Sequence, residues 1–532
     1  MTSKDSSREW IAAAVQFHPV HGVPERNRQA MAALLREAAA HGAKLIVFPE
    51  MASSGYVWES REEISPFVEP IPGPTTNALL EMTSRYDCYA VVGLPELDLK
   101  TGAYYNSAVL IGPHGVIGVY RKTHLFAADP RWAREGGEGV QVYHTPLGKI
   151  AMLICMDAMY FEPSRLAALQ EADIVAFPTN WVGGGNNPPS NTWRLRAWEN
   201  GVNWIAANRS DLERGAQFTG GSGIISPNGE VQQSKVSGEG IVYGVVKASG
   251  ERRRRQLKGR RPQAYQELLL HPYLWQEGET RRISVQQPFD VILVPHRSED
   301  GETVEAVDAS LRRVEALQRQ SERRIIVLPE LRLDPMQEGK ASMLTGLGHL
   351  AEEYGSYLVA ALVESGVADL KRSIYLVGPE GQIGLAHVVH SDAVQLDALG
   401  GQTAFRTFEL PFARVGILTG EDAGYPESFR ILAKQGADII AVSSNGSERG
   451  EVWMRRIWAF ENDAVLAMAA PPESDQSLLF LHRQVHLEGR MEGEAFGHRF
   501  SLEEIRIARG RPFMRRLKTH LYDQLVQSDR KE

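Results

Sequence analysis

The second half of this chain repeats the first half motif by motif, and this repeat constrains the fold more than any other feature. "KLIVFPE", which ends at Glu50, returns as "RIIVLPE", which ends at Glu330. "CMDAMYFEPSRLAALQEADIV" from Cys155 returns as "GEDAGYPESFRILAKQGADII" from Gly420. Because the matching motifs keep their order, we expect two copies of one structural unit.

Length and charge bound the domain organisation and the class of partner. At 532 residues the chain exceeds one ordinary domain. We place the first copy at residues 1–275 and the second at 283–525, with a polar joint around "YLWQEGETRR" between them. A net charge of −8 gives no reason to expect nucleic acid as a partner, and no apolar run is long enough to cross a membrane.

Short apolar runs alternate with amphipathic stretches in each copy. "KLIVFPE", "YAVVGLPE", "KIAMLICMD" and "DIVAFPTN" read as buried strands, whereas "ERNRQAMAALLREAAAHG" has helical spacing and ends on Gly42. "GGSGIISPNGEVQQSKV" reads as a hairpin that turns at Asn228-Gly229. The alternation predicts a layered α/β fold.

Cysteine is scarce, and its distribution excludes two kinds of framework. The chain contains only Cys88 and Cys155, without a disulfide network and without the Cys/His spacing of a metal site. We therefore expect no metal. Free thiols in a long chain are typical of the reducing cytoplasm, where we expect this protein to work.

Three residues of the first copy end strand-like runs, and together they suggest covalent catalysis. Glu50 follows "LIVFP", Lys122 lies in "YRKTHLF" and Cys155 lies in "MLICMD". Strand ends converge at one edge of a sheet, where ligands bind in α/β folds. In such a site a thiolate attacks an electrophilic carbon, a carboxylate moves the proton and a cation stabilises the oxyanion.

These motifs, in this order, resemble the nitrilase or carbon–nitrogen hydrolase superfamily over essentially the whole chain, as two tandem units. The resemblance implies an α-β-β-α sandwich for each unit and no metal or organic cofactor. It places the Glu-Lys-Cys triad on Glu50, Lys122 and Cys155. The position of a second family glutamate holds Asp129, in "KTHLFAADPRW", so we include that residue among the catalytic candidates.

The second copy keeps the surroundings of the site without its chemistry. Val388 stands where the first copy has Lys122, and Gly420 stands where it has Cys155. Glycine forms no thioester, so we expect a non-catalytic unit that serves as a scaffold. A retained regulatory pocket and simple decay after duplication are the alternatives. The resemblance further implies a family dimer fused into one chain, and leaves open whether such chains assemble into homo-oligomers.

The residues after the cysteine favour an amide as substrate. Cys155-Met156-Asp157 differs from the Cys-Trp-Glu of true nitrilases and is similar to amidases and carbamoyl hydrolases. We therefore expect hydrolysis of a carboxamide or N-carbamoyl compound, with release of ammonia through a thioester. The Met156 N–H would join the oxyanion hole, and Tyr56 and Trp181 would line the substrate pocket.

Three alternatives remain beside this interpretation. The enzyme could act on a nitrile, or it could transfer the acyl group to an amine. The third alternative belongs to a different class, a scaffold or binding protein with both halves inert. The complete Glu-Lys-Cys set in the first copy argues against this last alternative.

Overall fold

The chain forms two compact units, Met1–Lys258 and Gly259–Glu532. The computed structural model describes residues 9–183, 189–248, 250–271, 288–297, 302–314, 323–333, 339–364, 372–390, 405–447, 449–481, 495–502, 505 and 512–528. The joint predicted around "YLWQEGETRR" lies outside the described residues. In the described part of the chain, no helix combines the length and the apolar character that spanning a membrane requires.

The first unit ends earlier in the structure than the sequence repeat suggested. The segment that follows Lys258, which we had assigned to the first copy, makes its contacts within the second unit. Arg260 forms a buried ion pair with Glu427 at 3.0 Å. Lys434 donates to the backbone oxygen of Leu268 at 2.8 Å. The sequence repeat defines the two copies, whereas long-range contacts such as these define the two compact units.

The first sheet of the first unit contains six strands. In spatial order they are β14 (Gly240–Lys247), β1 (Glu9–Gln16), β2 (Ala43–Val47), β3 (Tyr89–Leu97), β4 (Tyr104–Gly112) and β5 (Gly115–Arg121). Strands β1, β2 and β3 are parallel, and the register places Val47 between Ala14 and Val91. These strands are almost continuously apolar, as expected for strands buried on both faces.

The second sheet of the first unit also has six strands. In spatial order they are β13 (Val231–Lys235), β12 (Ser222–Ile225), β9 (Asn203–Ala207), β8 (Ile174–Pro178), β7 (Gly148–Met152) and β6 (Val142–Thr145). A separate small hairpin consists of β10 (Leu212–Glu213) and β11 (Ala216–Gln217). The hairpin predicted at Asn228-Gly229 is confirmed, because β12 and β13 pair on either side of it and Gly229 has a φ of 81°.

Helices cover the outer faces of these sheets. They are α1 (Pro24–Ala40), α2 (Arg61–Ile64), α3 (Pro74–Tyr86), α4 (Phe161–Leu169), α5 (Asn191–Asn200) and α6 (Glu251–Leu257). The buried stripe of α1 packs with α3 against the first sheet, through Leu35 and Leu79 onto Ile46 and Val92. Helix α5 packs on β9 and β12, and the two sheets contact each other directly, β1 against β12 and β2 against β8.

The second unit repeats this architecture with two sheets of its own. The first sheet runs β20 (Gly381–His387), β19 (Arg372–Gly378), β18 (Tyr357–Glu364), β16 (Arg324–Val327), β15 (Phe289–Leu293) and β26 (Phe496–Phe500), with β17 (Leu331–Leu333) beside β18. The second runs β21 (Thr407–Glu409), β22 (Arg414–Thr419), β23 (Ile439–Ser443), β24 (Val465–Ala469) and β25 (Leu478–Phe480).

The helices of the second unit complete four layers. They are α7 (Val304–Arg312), α8 (Lys340–Glu353), α9 (Pro426–Lys434), α10 (Val452–Phe460) and α11 (Pro512–Arg515). Val291 and Val359 of one sheet share a core with Val415 and Ala441 of the other, while α7 and α8 cover the first sheet's outer face. Helix α10 packs on β24 and β25. The expected α-β-β-α layering of tandem units is confirmed.

Short 3-10 helices connect several elements of both units. They span Ser65–Phe67, Asp129–Arg131, Cys155–Met159, Pro262–Ala264, Gln266–Leu269, Asp422–Gly424, Pro472–Ser474, Thr519–Leu521 and Asp523–Val526. Two of them, Asp129–Arg131 and Cys155–Met159, begin at residues that the sequence singled out for chemistry.

Because Gly93 in β3 has no side chain, the segment that follows β2 packs directly against β3. Its N–H donates to the oxygen of Pro49 at 3.2 Å, and its oxygen accepts from the N–H of Ala52 at 2.8 Å. A Cβ atom on Gly93 would lie 2.5 Å from the Cα atom of Glu50. The missing side chain therefore fixes the place of Glu50 beside β3.

We expect Gly93→Ala to destabilise the first unit and to displace Glu50, because backbone atoms cannot yield as a flexible side chain can. The free energy of unfolding should fall by about 2–3 kcal/mol, measured by urea unfolding followed by circular dichroism. Gly137→Ala is the matched control, since a Cβ atom there meets nothing within 4 Å. Equal unfolding midpoints for the two variants would contradict this assignment.

Candidate active site

Glu50, Lys122 and Asp129 come from three separate segments and meet around one buried ammonium group. The Nζ atom of Lys122 lies 2.7 Å from Oε1 of Glu50 and 2.6 Å from Oδ2 of Asp129. The side chains of all three are fully buried. Glu50 follows β2, Lys122 follows β5, and Asp129 begins a 3-10 helix. The structure thus brings together three of the four residues proposed for catalysis through direct contacts.

Asn106 in β4 joins this cluster, although the sequence analysis did not select it. Its Nδ2 atom donates to Oε1 of Glu50 at 2.7 Å and to Oδ1 of Asp129 at 3.0 Å. Its backbone oxygen accepts from the N–H of Lys122 at 2.9 Å. An asparagine within a buried strand was the available signal, because asparagine is depleted in strands.

Asn180, at the end of β8, holds Glu50 from the second sheet. Its backbone N–H donates to Oε2 of Glu50 at 2.8 Å, and its Nδ2 atom donates to the backbone oxygen of Glu50 at 2.9 Å. The two carboxylate oxygens therefore have different partners, Asn180 on one and Lys122 with Asn106 on the other. The local sequence does not reveal the contacts between Asn180 and Glu50, because Glu50 follows a strand of the first sheet and Asn180 follows a strand of the second.

Cys155 begins the 3-10 helix after β7, in a backbone conformation that is unusual for its residue type. Its φ is 44°, in the left-handed region that only glycine adopts freely. It is buried, with 3% of its surface exposed. Such strain persists only where the surroundings enforce it, and it is concentrated at functional sites.

The electrostatics connect the thiol to the carboxylate and the ammonium. Burial raises the pKa of the Cys155 thiol far above its usual value; the charge of Glu50 raises it further, and that of Lys122 lowers it. The thiol is therefore protonated at neutral pH, and it lies within electrostatic reach of both groups. A base is required to remove its proton.

Glu50 and Lys122 have perturbed acidities for identifiable reasons. Burial raises the pKa of the Glu50 carboxyl, and Asp129 raises it further, while Lys122 lowers it. Burial alone would lower the pKa of Lys122, but Asp129 and Glu50 together raise it well above its ordinary value. Lys122 therefore stays charged, and Glu50 is a stronger base than an exposed glutamate.

Asp157 organises the turn that carries Cys155. Its Oδ1 atom accepts from Nδ1 of His124 at 2.9 Å and from Oγ1 of Thr123 at 2.9 Å. Its Oδ2 atom accepts from the hydroxyl of Tyr120 at 2.8 Å and from the N–H of Ile154 at 3.0 Å. Burial would raise the pKa of Asp157, but these hydrogen bonds, with His124 foremost, hold it below its usual value.

The second unit keeps this arrangement around the position that lost its sulfur. Asp422 accepts from Nδ1 of His390 at 2.8 Å. The His390 ring stacks on Tyr425 with centroids 3.7 Å apart, as His124 stacks on Tyr160 at 4.0 Å in the first unit. Because this histidine keeps its aspartate and tyrosine contacts in both units, with and without the cysteine, its role is structural in both copies.

The second unit also contains a cation at its former site, from a position that the sequence repeat did not reveal. Arg372 in β19 contacts Oε2 of Glu330 through Nε at 3.1 Å, and it also pairs with Glu421. The backbone N–H of Val388 contacts the oxygen of Arg372, as the N–H of Lys122 contacts that of Asn106. Arg372 therefore occupies the position of Asn106. The second unit has lost the lysine but has regained a positive charge.

A cavity of about 520 Å³ lies beside the first-unit cluster. Its walls come from four segments, Tyr56, Val57, Glu59, Phe126, Ala127, Ala128, Arg131, Val182, Gly183, Gly215, Ala216 and Gln217. Tyr56 has its ring centroid 5.8 Å from Nζ of Lys122, so it lies between the cluster and the cavity.

The other residues predicted to bind substrate occupy different surroundings. The ring of Trp181 packs edge-on against Trp193, and the residues that follow it, not Trp181, line the cavity. Met156 follows Cys155 in the 3-10 helix and is half-buried. Among the residues that the structure describes, no group of His, Cys, Asp and Glu side chains has the arrangement of a metal site.

Two comparisons of sequence place the chain among known proteins. The family model described as carbon-nitrogen hydrolase matches twice, at residues 11–256 and 299–487. A nitrilase from Pyrococcus abyssi is 38% identical over 41% of this chain and 82% of its own length. An omega-amidase from Danio rerio is 32% identical over 43% of this chain and 86% of its own length.

A comparison of structures finds a likeness to an amidase that was solved with a bound amide. A mutant of the amidase from Nesterenkonia sp. AN1 in complex with butyramide is similar over 47% of this chain and 94% of that chain, at 24% identity and a TM-score of 0.41. The matches to the family model cover most of the chain and fall in both copies. The chain belongs to the carbon–nitrogen hydrolase family as two tandem units, and it is a carbon–nitrogen hydrolase of the nitrilase superfamily.

Proposed function

We propose that the first unit hydrolyses a carboxamide or N-carbamoyl compound through a thioester on Cys155. The observation that carries this proposal is the buried contact of Lys122 with Glu50 and Asp129. The charges of Glu50 and Lys122 both act on the Cys155 thiol. A thiol that is protonated at neutral pH, a basic carboxylate and a fixed cation are the three groups that such a reaction needs.

Glu50 moves the protons in the proposed mechanism. It accepts the thiol proton as the sulfur attacks the carbonyl carbon, and it passes that proton to the departing ammonia when the C–N bond breaks. The same carboxylate then takes a proton from water, whose oxygen attacks the thioester. Cys155 leaves as the thiol, and the carboxylic acid is released.

Lys122 and the Met156 N–H stabilise the oxyanion of both tetrahedral intermediates, and Asp129 acts on Lys122. While Glu50 carries a proton, it no longer offers Lys122 a negative charge. Asp129, 2.6 Å from Nζ, still does. Asp129 is thus a positioning residue that keeps Lys122 charged and in place throughout the cycle.

Two neighbouring reactions use the same residues. Nitrile hydrolysis is the second candidate, because the relative from Pyrococcus abyssi is named a nitrilase. Acyl transfer to an amine passes through the same thioester, and trapping with hydroxylamine tests it. A purely scaffolding role for the whole chain does not agree with its membership of a hydrolase family. The cytoplasmic location stays a prediction.

Replacement of the sulfur should abolish turnover. We expect Cys155→Ala to lower kcat by at least about a thousandfold, measured as ammonia release from a panel of amides, N-carbamoyl compounds and nitriles. Intact-mass spectrometry should detect an acyl adduct on the native protein but not on this variant. Cys88→Ala is the matched control, because the Cys88 thiol is buried and has its pKa raised to about 11. Turnover that survives Cys155→Ala would refute the mechanism.

Asp157→Asn should lower kcat about tenfold or more. An NH2 group would replace one of the two acceptor oxygens, and the turn that carries Cys155 would loosen. Asp422→Asn alters the corresponding histidine contacts of the second unit and should leave kcat unchanged. The lowered pKa of Asp157 stabilises the fold above its unfolded pKa near 3.8, and this contribution is lost as the pH falls through the folded value. Both variants are therefore compared at neutral pH, by steady-state kinetics below the unfolding temperature. Equal kcat values would show that Asp157 has only a structural role.

We further propose that the second unit is non-catalytic. Gly420 has no nucleophile, and Glu330 is engaged by Arg372, which also pairs with Glu421. Val388 offers no ammonium group in the place of Lys122. At the positions of Cys155 and Lys122 the second unit therefore has neither a thiol nor an ammonium group, and a scaffold role is the simplest assignment.

Restoring the sulfur alone should not restore catalysis. We expect the double variant Cys155→Ala, Gly420→Cys to show no more ammonia release than Cys155→Ala. The measurement is single-turnover kinetics with enzyme in excess over the amide. A burst of product with Gly420→Cys would show that the second unit retains a working base and oxyanion site.

A further inference from the structure

The cavity beside Tyr56 is built from the same segments that carry the catalytic candidates. Tyr56 and Val57 follow Glu50, while Phe126, Ala127 and Ala128 lead to Asp129. Val182 follows Asn180. The cavity therefore opens beside the reacting groups, with Tyr56 shared between the two.

The cavity wall is predominantly apolar. Valine, alanine, phenylalanine and tyrosine side chains supply most of it, and among the lining residues that the structure describes only Glu59 and Arg131 are charged. These two pair with each other, and each side chain is about half exposed, 56% for Glu59 and 49% for Arg131. The two charges cancel, so the described lining of the cavity has no net charge.

The outer wall is a hairpin that is fixed by buried hydrogen bonds. The Oε1 atom of Glu213 accepts from the N–H of Tyr56 at 2.8 Å and of Val57 at 2.7 Å. Its Oε2 atom lies 2.7 Å from Nη1 of Arg209, which is itself buried. These contacts hold the hairpin, and with it Ala216 on its second strand, beside Tyr56.

We propose that this cavity receives the acyl group of an uncharged, apolar carboxamide, and that Ala216 sets the size of group that fits. The proposal rests on the hydrolase function proposed above and names the substrate class of that site. Lys122 is poorly suited to bind a carboxylate of the substrate, because it already contacts the carboxylates of Glu50 and Asp129. A substrate carboxylate would also have to share Arg131 with Glu59, which would leave two like charges side by side.

Two amides of equal size separate apolar from anionic specificity. 4-Methylpentanamide and succinamate have the same number of non-hydrogen atoms and differ in that an isopropyl group replaces a carboxylate. We expect the native enzyme to have a kcat/KM at least about tenfold higher for 4-methylpentanamide. Glu59→Gln should raise kcat/KM for succinamate, because it releases Arg131. A native preference for succinamate would overturn the proposal.

Variants of the hairpin test the role of Ala216. Ala216→Phe should lower the ratio of kcat/KM for 4-methylpentanamide over that for acetamide by about tenfold or more. Leu212→Phe is the control, because Leu212 lies on the same hairpin, is 64% exposed and does not line the cavity. This variant should leave the ratio unchanged. If Ala216→Phe does not fold, Val182→Phe narrows the cavity from another segment and should lower the same ratio. An unchanged ratio in a folded variant would refute the assignment.

Hydrolysis of acetamide distinguishes a failure of the proposed function from a failure of the cavity assignment. If the native enzyme releases ammonia from no amide and forms no acyl adduct, the proposed function fails. If it hydrolyses acetamide and prefers succinamate, the proposed function stands and the apolar cavity assignment fails.

Discussion

The buried ammonium group of Lys122 is the interaction on which the site depends. A lone charge in a protein interior is very costly, and this one is tolerated because two carboxylates lie within 2.7 Å of it. Those carboxylates in turn take hydrogen bonds from Asn106, and Glu50 takes another from Asn180. Both sheets of the first unit therefore contribute to the site, the first through Asn106 and the second through Asn180.

The second unit shows how the same constraint is met without the lysine. A glutamate at the end of a buried strand needs a cation nearby, whichever residue supplies it. When valine took the place of the lysine, arginine at the position of Asn106 supplied the charge instead. The arginine preserves the electrostatic balance with a different geometry. Its guanidinium pairs with Glu330 and Glu421, whereas the ammonium group of Lys122 pairs with Glu50 and Asp129.

The sequence predicted what is local and periodic. Buried strands, the hairpin at Asn228-Gly229, and the convergence of Glu50 and Lys122 followed from apolar runs and strand ends. It did not predict Asn180, Arg372 or Glu213, because each acts through a contact between segments far apart in the chain. Residues 259–271 belong to the first copy of the sequence repeat and lie in the second compact unit, because their contacts are also long-range. Trp181 resembled a pocket residue by its place after a strand, yet a nearby tryptophan on α5 offered its ring a partner.

The two copies together separate what the fold requires from what the chemistry requires. The aspartate–histidine pair and the tyrosine stacked on it are present in both units, so they stabilise the turn whether or not it carries a nucleophile. The positive φ occurs at Cys155, whereas Gly420, although it could adopt such a conformation without cost, is not among the described glycines with positive φ. The turn itself therefore does not need the left-handed conformation. The left-handed conformation therefore distinguishes the turn that carries Cys155 from its counterpart in the second unit, which agrees with the role proposed for the thiol.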